Sequence, residues 1–170
     1  MGLEGYSRTC SKRSGGIKSL HLIEADKILS AAYNSLSGEF EALTLAEGAL
    51  WAGYDFVEQS GSLTQTLAVA GGSTAVEHRL CFALHGIDQA ARLAADSLAE
   101  SACKGIVAVV ETLQGERLLV GYSVLFGGEK ALRVERITSS TGAALADKTS
   151  TEVVLTAVDT SLSRPFTGTL

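Results

Sequence analysis

From Gly105 to Gly142 glycines recur every few residues, and between them stand short β-type runs. A chain punctuated in this way is held to short strands joined by tight turns. Ile106-Val107-Ala108-Val109-Val110 is apolar throughout, the pattern of a central strand buried on both faces. Gln114-Gly115 predicts a hairpin turn into residues 117–123, and Gly127-Gly128 a second one into 130–138. A polar segment, 139–150, leads to a last strand over 151–158, where Val153 and Leu155 oppose Glu152 and Thr156.

The first half carries the same signals less evenly. Residues 17–24 alternate, with Leu20 and Leu22 pointing one way and Ser19 and His21 the other. Residues 25–36 fit either a short helix or a strand with a turn at Asn34, and 39–51 reads as a loop with short ordered pieces. Strands are predicted over 54–59, 63–70 and 75–84, with Gly71-Gly72 as the turn between the last two. In the third run Val76, Leu80, Phe82 and Leu84 share a face, while Glu77, Arg79 and Ala83 share the other. A face of alternating charges is solvated or lines a channel. Residues 87–102 form the one predicted helix. Ile87, Ala91, Ala94, Leu98 and Ala102 recur at helical spacing, Asp88 sits early, and Lys104-Gly105 closes the helix. Strands, one helix and then strands give a mainly β fold: a single domain over 1–170, an antiparallel sandwich or partial barrel with one flanking helix.

At 170 residues, 46% of them apolar and 19% charged, the chain has the material for one sizeable core. Its net charge of −5 and lack of a basic run exclude a protein that grips nucleic acid by its phosphates. Arg8, Lys12, Arg13 and Lys18 form only a small basic cluster in the N-terminal segment. The three cysteines, Cys10, Cys81 and Cys103, have neither zinc nor redox spacing, and Cys81 and Cys103 read as small buried hydrophobes. No apolar run is long enough to span a membrane, and the N-terminal residues lack the order of a signal peptide, so synthesis in the cytoplasm is expected.

Chemistry finds little support. His78 and His85 point to opposite faces of one strand and cannot share a metal. No serine sits in a GxSxG elbow, and the strand separates Cys81 from the nearby histidines. Gly71-Gly72-Ser73-Thr74 lacks the lysine of a phosphate loop. No catalytic, cofactor or metal site is expected. Instead, a polar arm over 1–16, the stretch 34–53 and the segment 139–150 suit contacts between subunits, and residues 161–170 read as an extended C-terminus.

Three stretches carry a resemblance. Thr9-Cys10-Ser11-Lys12-Arg13-Ser14-Gly15-Gly16 before the first strand, the run from Gly105 to Glu111 followed by Gly115 and Leu118-Leu119-Val120-Gly121-Tyr122, and Ser140-Thr141-Gly142-Ala143-Ala144-Leu145-Ala146-Asp147 before the last strand resemble the tail tube proteins of phages that infect Bacteroidetes. Residues 151–158 and Arg164-Pro165-Phe166 fit the closing strand and tail of that pattern. At Lys148-Thr149-Ser150 the chain departs from it, since an Asn-Gly-Tyr-like turn is usual there; this leaves a tail terminator or neck ring open. The resemblance implies a virion structural protein, not an enzyme. Its subunits would form hexameric rings stacked into a hollow tube that meets other tail proteins and passes double-stranded DNA without binding it. Intersubunit contacts are then expected at Cys10, Lys12, Arg13, Gly15, Gly16, Glu39, Phe40, Thr141, Leu145, Asp147 and Lys148, and a lumen-facing surface at Glu77, Arg79 and Glu152. The alternatives are a terminator, neck or decoration protein that docks on a virion, or a monomeric binding module with Trp51, Tyr54 and the 34–53 loop around a ligand cleft.

Overall fold

The computed structural model describes residues 2–8, 10 and 12–170. Its strands are β1 (Ile17–Glu24), β2 (Ile28–Asn34), β3 (Glu39–Leu45), β4 (Ala52–Gly53), β5 (Ser62–Ala70), β6 (Ser73–His85), β7 (Ile106–Thr112), β8 (Arg117–Val120), β9 (Arg133–Ser140), β10 (Ser150–Asp159) and β11 (Arg164–Pro165), with one helix, α1 (Gln89–Ser101). The strands form a five-stranded sheet in the order β11-β8-β7-β1-β4, a four-stranded sheet in the order β5-β6-β10-β9, and the β2–β3 hairpin. All the strand pairs within these sheets are antiparallel.

The five-stranded sheet is the middle layer, which explains the unbroken apolar run of β7. Ile106, Ala108 and Val110 face one core with Leu20 and Leu22 of β1; Leu80, Phe82 and Leu84 of β6; Val153 and Leu155 of β10; and Ala91 and Leu98 of α1. Val107 and Val109 face a second core, closed by Ile28 of β2, Phe40 of β3 and Phe166 beyond β11. Each Val, Leu, Ile or Phe among them contributes roughly 1.5–3 kcal/mol on burial, so β7 is anchored from both sides. The fold is a β-sandwich with one helix, and its sheets do not close into a barrel.

The ends of α1 follow the sequence signals. The Asp88 carboxylate caps the start by accepting from the Ala91 N–H at 3.0 Å. Gly105 ends the helical turn at φ +83°, and its N–H donates to the Ser101 carbonyl. A side chain there would strike Ala131, since a Cβ would lie 2.6 Å from the Ala131 Cβ. Glu24 ties this end to β1, accepting from the Ser101 hydroxyl at 2.9 Å and the Lys104 ammonium at 3.2 Å. Those two donors hold the Glu24 carboxyl below its usual pKa.

Several expectations need correction. The 39–51 stretch is no loop over its first half, because residues 39–45 are the strand β3; of the two readings of 25–36, the strand is the one that forms, after a short 3-10 turn at Ala25–Lys27. The turn sits at Asn34, whose side-chain oxygen accepts from the Leu36 N–H. Residues 54–59 form no strand: the Val57 N–H reaches the Ala83 carbonyl, and the chain then turns through Gln59 at φ +64°. Gly127-Gly128 does not join β8 to β9 as a hairpin: Gly127 closes a single-bridge turn with Ser123, and the chain then crosses to the other sheet. Of the cysteines expected to be buried, Cys103 is exposed and Cys81 half-buried.

Candidate assembly surfaces

The four-stranded sheet keeps one face in the core and turns the other outward. Glu77 and Arg79 on β6 and Glu152 on β10 all lie on that outward face, so the structure brings together the three residues expected to line a channel. Their surroundings come from a bulge. β9 pairs Arg136 with Val154 and Val134 with Leu155, which leaves Glu135 as an extra residue. Glu135 thereby reaches over β10 to take the Arg79 guanidinium in two hydrogen bonds, of 3.0 and 3.2 Å. Beneath the bridge the outward Val154 is only 1% exposed. Glu135 holds the Arg79 charge in place and raises its pKa, chiefly by charge attraction. Arg133 is also engaged, donating to the carbonyls of Ala102 and Cys103 past the end of α1. Glu77, Glu152 and Arg136, the last paired with Val154 on the same face, stand exposed.

Both edges of this sheet, β5 and β9, are open among the described residues. The β5–β6 hairpin also outruns the sandwich. Its ladder runs from Ser62↔Cys81 to Ala70↔Ser73, yet every residue of 66–75 is exposed. Gly71 and Gly72 close it at φ +59° and +83°, the left-handed pair that a two-residue hairpin turn requires. No charged residue occurs from Gln59 to Val76, and Leu67 and Val69 are 50% and 66% exposed. A projecting, uncharged hairpin with exposed apolar side chains is a ready surface for another chain. The turn was legible in the sequence; the projection was not, because alternation along a strand does not reveal where the second layer stops.

The N-terminal arm carries Cys10, Lys12, Arg13, Gly15 and Gly16, all exposed. It leaves the fold at Gly16, where the Gly16 carbonyl accepts from the Leu113 N–H. Beside its root lies a groove of about 830 Å³ between β1 and residues 53–61.

The segment expected over 139–150 is shorter than that. Ser139, Ser140 and Ser150 pair within the β9–β10 ladder, leaving 141–149 as the loop. The loop is internally tied. Asp147 accepts from the N–H groups of Ala143 and Ala144, both at 2.8 Å, and these bonds hold its carboxyl below the usual pKa. Thr141 and Lys148 are exposed, and Leu145 stands fully in solvent.

Phe40, expected at an intersubunit surface, is buried within its own subunit. It is 1% exposed in the second core, between Tyr33 and Tyr122. Its neighbour Glu39, at the start of β3, is half-buried. Nor do Trp51 and Tyr54 share a cleft. Trp51 packs near Phe166 in the second core, whereas Tyr54 packs against Phe82 in the first, on the far side of the middle sheet. Ser123 and Asp159 join in a buried hydrogen bond of 2.7 Å, and Ser123 Oγ also accepts the N–H groups of Leu125 and Phe126. His78 meets the Ser161 carbonyl instead, and burial lowers its pKa. That arrangement holds a loop; it offers the serine no base. Among the described residues no three His, Cys, Asp or Glu side chains gather as a metal site, and no helix is long and apolar enough to cross a membrane. No family model, no curated protein and no solved structure matches the chain.

Proposed function

We propose that the chain is a self-assembling subunit of a phage tail tube, forming rings that stack into a conduit for DNA in the virion. The observation that carries this reading is the four-stranded sheet, which has two open edges and an outward face where Glu135 occupies Arg79 while Glu77, Glu152 and Arg136 stand exposed. The edge β5 of one subunit set against β9 of the next would continue the backbone ladder around a ring, as strand addition does elsewhere. The outward faces would then form the wall of the duct. A wall that sets Glu77, Glu135 and Glu152 against Arg79, Arg133 and Arg136 carries no excess of positive charge, so DNA phosphates find little to hold and the polymer can slide. The projecting hairpin would reach the ring above or below, and other tail proteins would cap the stack.

The test is negative-stain electron microscopy of the full chain over a concentration series, beside a variant in which residues 68–75 are replaced by Asn-Gly. That replacement keeps the last pair, Leu67↔Val76, and supplies a two-residue turn. Full-length protein is expected to give rings and hollow tubes. The variant is expected to melt as the parent does and to give no stacks. A full chain that is monomeric at every concentration overturns the proposal. Single rings that never stack would replace it with a terminator or neck ring.

A further inference from the structure

β1 is paired along its length on one side only. Toward β7 its ladder runs from Ile17 to Glu24, with a jump that leaves Lys18 without a partner. Toward β4 it pairs only at His21 and Leu22, with one further bond from the Tyr54 N–H to the Leu20 carbonyl. Over residues 17–19 this second edge of β1 is therefore open among the described residues. The opening is the groove of about 830 Å³, whose lining holds the apolar side chains of Ile17, Phe56 and Leu113, two carboxylates, Asp55 and Glu58, and one ammonium, Lys18, which is taken up by Glu111 at 3.3 Å. A strand edge beside an apolar trough is the geometry that accepts an added strand, with backbone bonds giving affinity and the trough taking alternate side chains.

The arm that roots beside this groove has the complementary chemistry. Residues 2–14 carry Arg8, Lys12 and Arg13 against a single acid, Glu4. Leu3 and Tyr6 are 107% and 88% exposed, so the arm's apolar side chains find no place on their own subunit. Its root, Gly15 and Gly16, lines one end of the groove together with Leu113, and beyond it the Gln114 amide of the β7–β8 turn donates to the Ser14 carbonyl. Thirteen extended residues span about 43 Å, well over twice the radius of gyration of roughly 15 Å that a domain of this length has. The arm is long enough to reach a neighbour.

We infer that the open edge of β1 is a strand-acceptor site filled by the N-terminal arm, residues 2–14, of a second copy of the chain. This rests on the self-assembly proposed above and names where one of its contacts forms. Tyr6 or Leu3 of the incoming arm would occupy the trough, and its basic residues would meet Asp55 and Glu58.

Two single variants test it, Tyr6→Cys and Glu58→Cys, each in a Cys10→Ser, Cys81→Ser, Cys103→Ser background. They are mixed and gently oxidised under conditions where the chain assembles. A disulfide-linked heterodimer in high yield is expected. Deleting residues 2–8 is expected to lower the assembled fraction at least tenfold while the melting temperature of the monomer stays put. Absence of the heterodimer from assembled protein overturns the inference. So does a double variant that closes its disulfide within one chain, which would show the arm folding back on its own subunit. Assemblies that survive the deletion sink the acceptor site alone and leave the tube proposal standing.

Discussion

Phe40 shows what a single side chain does in the outer layer. Its ring centroid lies 5.1 Å from that of Tyr33 and 5.7 Å from that of Tyr122, the second contact edge-on at 84°. Aromatic pairs prefer such tilted or edge-to-face arrangements. The backbone around it is engaged too, since the Phe40 carbonyl accepts from the Thr167 N–H at 3.0 Å and so ties the C-terminal tail to β3. Phe40 therefore fastens the β2–β3 layer and the tail to the middle sheet. Phe40→Ala is expected to destabilise the monomer by about 3–5 kcal/mol, the range for emptying a buried aromatic site. Urea unfolding of the monomer measures it. A loss under about 1 kcal/mol would return Phe40 to the list of surface residues.

At the scale of elements, whatever follows a strict period or a local cap was readable in the chain. The helix showed its stripe, its Asp88 cap and its Gly105 stop; β7 showed the continuous run of a two-sided strand; Gly71-Gly72 showed its turn. The β2–β3 hairpin was hidden by its own bulges. The register slips between Ile28 and Ser30 and again between Ala32 and Tyr33, so Phe40 and the half-buried Leu43 and Leu45 do not share one alternating phase. The same device hid Glu135, which no period of two would place opposite Arg79. The open edge of β1 was unreadable for a different reason: pairing partners are long-range, and sequence alternation does not say which edges remain free. The 141–149 loop stands between these cases, recognisable as polar but not as internally braced. Asp147 is its brace. Because the native carboxyl titrates below the unfolded value of 3.8, its contribution is complete above that pH and is lost as pH falls through the native pKa. At neutral pH Asp147→Ala removes it outright. Hydrogen exchange should then speed at the Ala143 and Ala144 amides at least tenfold, with the β9–β10 ladder unchanged. Unaltered exchange at those two amides would show that the loop needs no brace.

For the molecule as a whole, the question is which surface a ring would turn inward. The second core and the β2–β3 hairpin cover one face of the middle sheet, and the four-stranded sheet covers the other, so the broad outward strand face belongs to β5, β6, β10 and β9. That face combines two open edges with a mixed set of carboxylates and arginines, and the opposite side of the molecule has only the short hairpin layer. If the four-stranded sheet forms the duct wall, a thiol on it must become hard to reach when tubes form, though only for a bulky reagent. Glu152→Cys, in a background with Cys10, Cys81 and Cys103 changed to Ser, places that thiol on the exposed outward side of β10. Monomer should react readily with both a small maleimide and a maleimide carrying a polyethylene glycol chain. In tubes the small reagent should still diffuse in from the ends, while the polymer-bearing one should slow at least tenfold. A matching thiol at Leu36, fully exposed in the β2–β3 turn, should stay open to both reagents in either state. Equal polymer labelling of the Glu152→Cys variant in tubes and monomers, with the Leu36→Cys site protected instead, would turn the subunit around and put the hairpin layer inside.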